Sequence, residues 1–453
     1  MKFGKVGQVG LVSAIALLVA TLFTACASLT VGFLFVPTNK TTPGQIQVYE
    51  VNSESGYLHR IPTSPFPSGG RDPIAEAVTP DSLNLYVVNG DDNNIVQFAI
   101  GTDGKLYPQS TINTPGSFPI ALAINSTVNS AATYVYVLDT LGPVAGCSLD
   151  NPCPGAVAGY ALTTAATAKT PGSFGEGSLG QSCATADSVT TCTLGNPIVN
   201  SNNQTYFSLP LSSAAGSDVL TPTGIDVTAN GQFLYVTAYD ADTTPFAGYL
   251  FGFSIGTDGS LTPVNGGAPY RLESQPAGQS TALALQEPVA VGDLSSGSLF
   301  VLDKLTNQIA TYTVQSGGTI AATTVQSVSV ANTTVTAATG NQPSSMTMDN
   351  NQHLYVANSL DSTVTGYTVS SSGTLSKIAT NATDNNPIAI IADPRHIGYL
   401  YTVNFLGSDV SGYQIDAATG MLTNTQASPY GSTAQPTTVS GVPHGGQVKS
   451  ATN

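Results

Sequence analysis

The chain is poor in charge and poorer still in base. Of 453 residues only 12 are Lys or Arg, against 27 Asp or Glu; charged residues make up 9%, and the formal net charge is −15. A surface of that sign repels a phosphate backbone, which argues against nucleic acid as a partner. Tryptophan is absent, and histidine occurs four times, as His59, His353, His396 and His444. The five cysteines include no C-x-x-C pair suited to redox work. There is no G-x-S-x-G, H-E-x-x-H, phosphate loop or dinucleotide fingerprint. No metal and no cofactor is expected. Outside the N-terminus no long segment has a 3.6-residue period, so an all-helical chain is excluded too.

Hydrophobic residues, at 41%, are plentiful enough for a large core. They fall in period-2 runs rich in Val, Ile, Thr and Tyr, the pattern of half-buried strands. The first 26 residues, MKFGKVGQVGLVSAIALLVATLFTAC, differ from the rest. Lys2 and Lys5 precede an apolar stretch from Val9 to Phe23, and small residues then lead to Cys26. This is the layout of a signal peptide over 1–25. The LFTAC ending resembles a bacterial lipobox, which implies lipidation at Cys26; an ordinary cleaved signal is the alternative. The expectation is an exported, membrane-anchored lipoprotein, periplasmic or at the outer membrane or cell surface. A tether over 26–32 at about 3.3 Å per residue reaches roughly 25 Å, which keeps the folded body close to the membrane.

Cys147, Cys153, Cys183 and Cys192 lie in one region, and four cysteines allow three pairings. Short loops cost least entropy to close, which favours Cys147–Cys153 and Cys183–Cys192. Their C-x5-C and C-x8-C spacings do not match common zinc sites.

One unit recurs along the chain. An L-Y-V-like strand places an aromatic at Phe35, Tyr86, Tyr136, Tyr235, Phe300, Tyr355 and Tyr401. A second strand follows each, with its aromatic at Tyr49, Phe98, Tyr160, Phe253, Tyr312, Tyr367 and Tyr413. A Gly turn generally comes next (ESGYL, TDGKL, TDGSL, SGGTI, SSGTL, ATGML), because Gly accepts positive φ. A Pro-led strand prepares each unit, beginning at Pro73, Pro119, Pro222, Pro288, Pro343, Pro387 and Pro436. Strands A (Pro), B (L-Y-V), C (second aromatic) and D (after the turn) make a four-stranded meander, and radial stacking of such sheets is a β-propeller. The first B strand has no A before it and the last A has no B after it. The expectation is therefore an all-β, seven-bladed propeller over 33–445, closed by the C-terminal strand pairing with the first blade, with a flexible tail over 446–453. The long gap from Tyr136 to Tyr235 reads as a disulfide-bearing insertion at about 140–220. A decayed eighth blade using NPIVNSNNQTYFSL (196–209) is the rival.

The combination P-x-x-[I/V]-x-[I/V], L-Y-V-x-N, V-x-x-Y-x-[I/V] and T-G-x-L resembles the YVTN-repeat family and the related seven-bladed lactonases, which include 6-phosphogluconolactonase-like proteins. SPFPSGG (64–70) and SPYGSTAQP (428–436) resemble that family's blade linkers, and LYTVNFLGSDVSGYQID (400–416) resembles its D-L-G-x-D stretch, with Asn404 in place of the first Asp. The absence of Trp sets the chain apart from WD-repeat propellers. The resemblance implies lactone hydrolysis, with His, Arg and acidic residues around the channel mouth and a His just before a strand A. Here the pre-A positions hold Asp72, Phe118, Thr221, Glu287, Gln342, Asn386 and Gln435, with no His among them. The catalytic candidates that remain are Glu287, Asp72, Arg71 and Arg271. GDDNN (90–94) offers oxygens to a cation but lacks the spacing of a calcium loop.

A polar series recurs three residues after the B-strand aromatic: Asn89, Asp139, Asp303, Asn358 and Asn404. It leads into the B–C loops on the face where propellers bind ligands, which makes these residues ligand-lining candidates. The same residue types also cap turns by bonding their own backbone. The leading expectation is a binding or scaffold module at the cell envelope, whose partners are the membrane, through its lipid, and an unidentified small-molecule, glycan or protein ligand. The alternative is a lactonase-like hydrolase.

Overall fold

The computed structural model describes residues 30–39, 42–125, 133–162, 182–186, 189–193, 197–209, 219–274, 283–293, 297–321, 326–329, 342–393, 395 and 398–444. The expected signal peptide over 1–25, the expected lipidation site Cys26, His396 and the expected tail over 446–453 lie outside them.

Seven antiparallel sheets form the ring, each a meander of four strands; in blades 1, 4 and 7 the outer strand is split into two short pieces, both pairing with strand C. Blade 2 sets the pattern with Pro73–Val78, Asn84–Asn89, Asn94–Ile100 and Leu106–Asn113 as A to D. The A strands of the other blades are Ser117–Ile124, Thr221–Val227, Pro288–Asp293, Pro343–Met348 and Pro387–Ala392 for blades 3 to 7, and Ser440–Pro443 for blade 1. Each A strand is terminal in its sheet and lies nearest the axis. The ring closes as the repeat order requires. Ser440–Pro443 pairs antiparallel with Thr30–Thr38, with Phe33 opposite Val442 and Phe35 opposite Ser440. Further along, the Thr437 amide donates to the Pro37 carbonyl at 2.9 Å, and Pro436 bridges Thr38.

The core is divided among seven seams between neighbouring blades. Phe33, Phe35 and Val48 of blade 1 pack on Leu85, Val87 and Phe98 of blade 2; Leu34, Val36 and Tyr49 pack on Tyr401 and Val403 of blade 7. Every aromatic of the two repeated series is buried. Removing one such side chain from water is worth about 2–3 kcal/mol.

The repeat also contains a latch. In four seams the B-strand tyrosine donates to the carbonyl of the next blade's C–D turn glycine: Tyr136 to Gly259 (2.8 Å), Tyr235 to Gly318 (2.7 Å), Tyr355 to Gly420 (3.0 Å) and Tyr401 to Gly56 (2.9 Å). The turn glycines have φ between +63° and +81°. They also press on a side chain at the start of that B strand, so a Cβ on Gly259 would sit 2.5 Å from Tyr134 Cδ1. Gly259→Ala should therefore combine left-handed strain with overpacking and cost about 2–4 kcal/mol. Tyr136→Phe, which only orphans a buried carbonyl, should cost about 1–2 kcal/mol. Urea midpoints of the two variants check the ranking, and equal midpoints would refute the steric account.

Blade 3 carries two insertions. The B–C loop from Leu141 to Ala156 contains the disulfide Cys147–Cys153, with its Cα atoms 5.6 Å apart. A longer C–D excursion leaves the opposite face after Leu162; it includes a hairpin, Ser182–Ala186 with Val189–Thr193, that sets Cys183 directly across from Cys192 in the backbone register. The stretch 196–209 supplies no eighth blade, because Phe207–Ser208 is the outer strand of blade 3 and Pro197 bridges Tyr160.

Candidate functional site

The inner strands all start on one face of the ring, where the D–A linkers and B–C loops converge. At four of the pre-A positions the backbone is left-handed: Asp72 (φ 54°), Phe118 (55°), Gln342 (46°) and Asn386 (59°). The carbonyl of a pre-A residue accepts from the amide just beyond the end of its own B strand, as in Gly90 to Asp72, Lys304 to Glu287 and Ser359 to Gln342. This contact brings pre-A and B–C residues together, although they stand about 17 positions apart in the chain.

Its product in blade 5 is the most chemically equipped part of the mouth. Lys304 Nζ lies 2.8 Å from Glu287 Oε1; the two side chains are 35% and 16% exposed. Asp303 holds this arrangement from below. Its Oδ2 accepts from the amides of Gln286 and Glu287, and its Oδ1 accepts from the amide and hydroxyl of Thr306, all at 2.7–2.8 Å. Tyr239, at the end of the blade 4 B strand, completes the group. Burial pushes its hydroxyl up, and the Glu287 carboxylate and Lys304 ammonium act on it in opposite directions. The Phe246 ring lies 5.4 Å from that of Tyr239. The same face also bears apolar side chains: Val144, Leu149, Leu305, Leu360 and Leu406 stand exposed on the B–C loops of blades 3, 5, 6 and 7.

The other catalytic candidates are dispersed. Asp72 belongs to blade 2 and takes a bond from Asn39 Nδ2 at 3.4 Å. Arg71 is clamped by Asp92 (Nε to Oδ1, 2.7 Å), which also gives the GDDNN loop its structural task. Arg271 lies on the outer edge of blade 4, stacked over the Tyr249 ring at 5.4 Å. Sequence reasoning missed Lys304 and Tyr239. The position of Lys304, one residue past the repeated polar position, was the signal that could have found it.

The five candidate ligand-lining residues are sealed inside the blades, each 0% exposed. They act as pins. Asn358 Nδ2 donates to the hydroxyls of Thr363 and Thr365, both at 3.0 Å. Asn404 Nδ2 reaches Asp409 at 2.6 Å, and Asn89 reaches Asn94 at 2.9 Å. Asp139 takes the Gly116 amide at 3.0 Å, and burial pushes its carboxyl up to about 7. Asp409 is also pushed up to about 7, first by burial and then by the neighbouring Asp384 carboxyl.

No described histidine reaches this face. His353 is buried at the opposite end of blade 6, 2.8 Å from Asp349; His444 packs against Phe33; His59 lines a shallow groove at the outer edge of blade 1. Among the described residues no group of three or more His, Cys, Asp and Glu could hold a metal ion.

Comparison with known proteins agrees with this architecture. Residues 295–444, running from the B strand of blade 5 through blades 6 and 7 to the closing strand, match the family model described as lactonase, 7-bladed beta-propeller. No curated protein matches the chain in sequence. Among solved structures, the periplasmic gluconolactonase of Pseudomonas aeruginosa superposes with a TM-score of 0.59 at 14% identity, covering 91% of this chain and 99% of that one. A Bacteroides uniformis protein provisionally named a 6-phosphogluconolactonase gives a TM-score of 0.57 at 15% identity, covering 91% and 100%. A protein from Lactobacillus plantarum gives 0.59 at 16%, also covering 91% and 100%. At such identities the likeness is one of fold. The chain is a lactonase-like seven-bladed β-propeller, similar to that family in sequence over its last third and in fold around the whole ring.

Proposed function

We propose that the channel mouth is a hydrolytic site for a small, uncharged lactone of the sugar-acid type, in an exported protein held at the cell envelope by a lipid on Cys26. The observation that carries this reading is the part-buried Glu287–Lys304 pair with Tyr239 beside it. In this scheme Lys304 polarises the lactone carbonyl and Glu287 takes a proton from the attacking water. The water oxygen bonds to the carbonyl carbon, the ring C–O bond breaks, and the leaving alkoxide recovers the proton from Glu287. The substrate carries no phosphate, because Lys304 and Arg71, described cations of this face, each already hold a carboxylate. The family match and the gluconolactonase fold favour the same class of chemistry.

The test is lactone ring opening by purified protein, followed in a pH-stat, with Glu287→Gln as the control. A general base contributes about 10²–10⁴-fold, so the variant should lose that much. The reading is abandoned if the wild-type rate does not exceed the spontaneous one. A binding module without turnover is the second reading, favoured by the exposed leucines on the same face as the mouth.

Export and anchoring rest on the N-terminal sequence. Thr30 sits at the face opposite the mouth, paired with Asn52, only four positions after Cys26. A lipid on Cys26 would turn the mouth away from the bilayer. The wild type should partition into detergent and Cys26→Ser into the aqueous phase; equal partitioning would remove the anchor.

A further inference from the structure

The fourth residue of the inner strand, counted from its proline, is apolar in six blades: Leu122, Ile225, Val291, Met346, Ile390 and Val439. In blade 2 it is Glu76. The residue is half-buried, yet both carboxylate oxygens are covered and lack a hydrogen-bond partner. Ser440, on the closing strand of blade 1, lies against that carboxylate: its hydroxyl and its amide both favour the ionised form, although neither makes a well-aligned hydrogen bond to it. Burial pushes the Glu76 carboxyl well above the usual carboxylate range. Three buried oxygens whose hydrogen bonding is incomplete thus meet at the seam where the ring closes. Natural interiors seldom leave such groups bare, and an ion or water completes them.

The surroundings favour a cation. Read from the sequence, the inner strands contain no Lys, Arg or His. Each of these strands pairs only with its own B strand, so its other edge presents unpaired backbone carbonyls, alternating with amides, to the axis. A carboxylate, a hydroxyl and main-chain carbonyls form a set of hard oxygen donors, the kind that Ca²⁺ takes in sixes to eights together with water.

We propose that Glu76, Ser440 and the axial carbonyls of blades 1 and 2 bind a Ca²⁺ ion in the channel, bridging the closing strand to the second blade. The site is separate from the Glu287–Lys304 pair, so it stands or falls independently of the hydrolytic reading. With the weak affinity of a site offering one carboxylate, binding falls at about 10⁻⁴–10⁻³ M.

Tb³⁺ reports the site, because the chain has 19 tyrosines and no tryptophan to sensitise its emission. Tyrosine-sensitised emission should appear in the wild type, be displaced by Ca²⁺ and be lost in Glu76→Gln. In parallel, Ca²⁺ at about ten times its Kd should raise the wild-type Tm by roughly 1–2 °C at matched ionic strength and leave Glu76→Gln unmoved. Glu76→Leu, which restores the residue type of the other blades, guards against misfolding and should behave as Glu76→Gln does. Equal Tb³⁺ emission in wild type and Glu76→Gln would place the ion elsewhere and overturn the proposal. So would the absence of any response in the wild type, which would leave Glu76 held by its own proton.

Discussion

A chain ending at Ala434 will show no cooperative unfolding transition, whereas one ending at His444 will unfold like the full-length protein. The difference is ten residues, yet they supply the inner strand of blade 1. Without Ser440–Pro443 the Thr30–Thr38 strand loses one of its two partners, and Val442, now 0% exposed, leaves the seam with blade 2. The Thr437 hydroxyl, which donates to the carbonyls of Pro37 and Pro73, is lost as well. Blade 1 is then three strands with its inner edge uncovered, and both of its seams lose the apolar side chains of the closing segment, Val439 and Val442. Because the core is seven seams and not a single mass, opening the ring at one blade exposes two of them. A 1 kcal/mol loss is already a sizeable part of a net stability of about 5–15 kcal/mol; two seams exceed it. Calorimetry with the two truncations decides the matter. A chain ending at Ala434 that retained the full-length midpoint would mean that the closing strand carries no stability.

That closure was legible because strand order is a property of the repeat. Seven B strands followed by C strands, with one unpaired A left at the C-terminus, admit a ring whatever the side chains do. The latch was only half legible. L-Y-V and D-G recur visibly, but that Tyr235 donates to Gly318 of the next blade depends on how far each sheet is rotated about the axis. Phe35 and Phe300 stand at the same repeat position without a hydroxyl to donate. The candidate site was the least legible. Asn and Asp at a strand end read equally as ligands or as turn caps, and only burial distinguishes them: Asp303 is spent on four bonds to its own loops, while Lys304 beside it points at Glu287. The binding reading led from sequence because no His stood before a strand A. A Lys–carboxylate pair assembled across 17 residues leaves no such local sign.

Lys304→Met should then separate the two functional readings. Methionine keeps most of the stem and removes the ammonium. If Lys304 polarises the lactone carbonyl, its interaction strengthens as charge develops on the oxygen, so kcat falls with little change in KM. Removal of one such electrostatic donor costs about 10²–10³-fold. Lys304→Arg keeps the charge and should recover part of the rate, although a planar guanidinium cannot reproduce the point charge. Lys304 and Glu287 are in direct contact, so the double variant with Glu287→Gln should lose little more than the worse single variant, the signature of two groups that act as a unit. If the mouth only binds, wild type and variants share the spontaneous rate, and Lys304→Met weakens ligand affinity measured by calorimetry. Fully additive kcat losses would mean that the pair, although 2.8 Å apart, does not act together on the reacting bond.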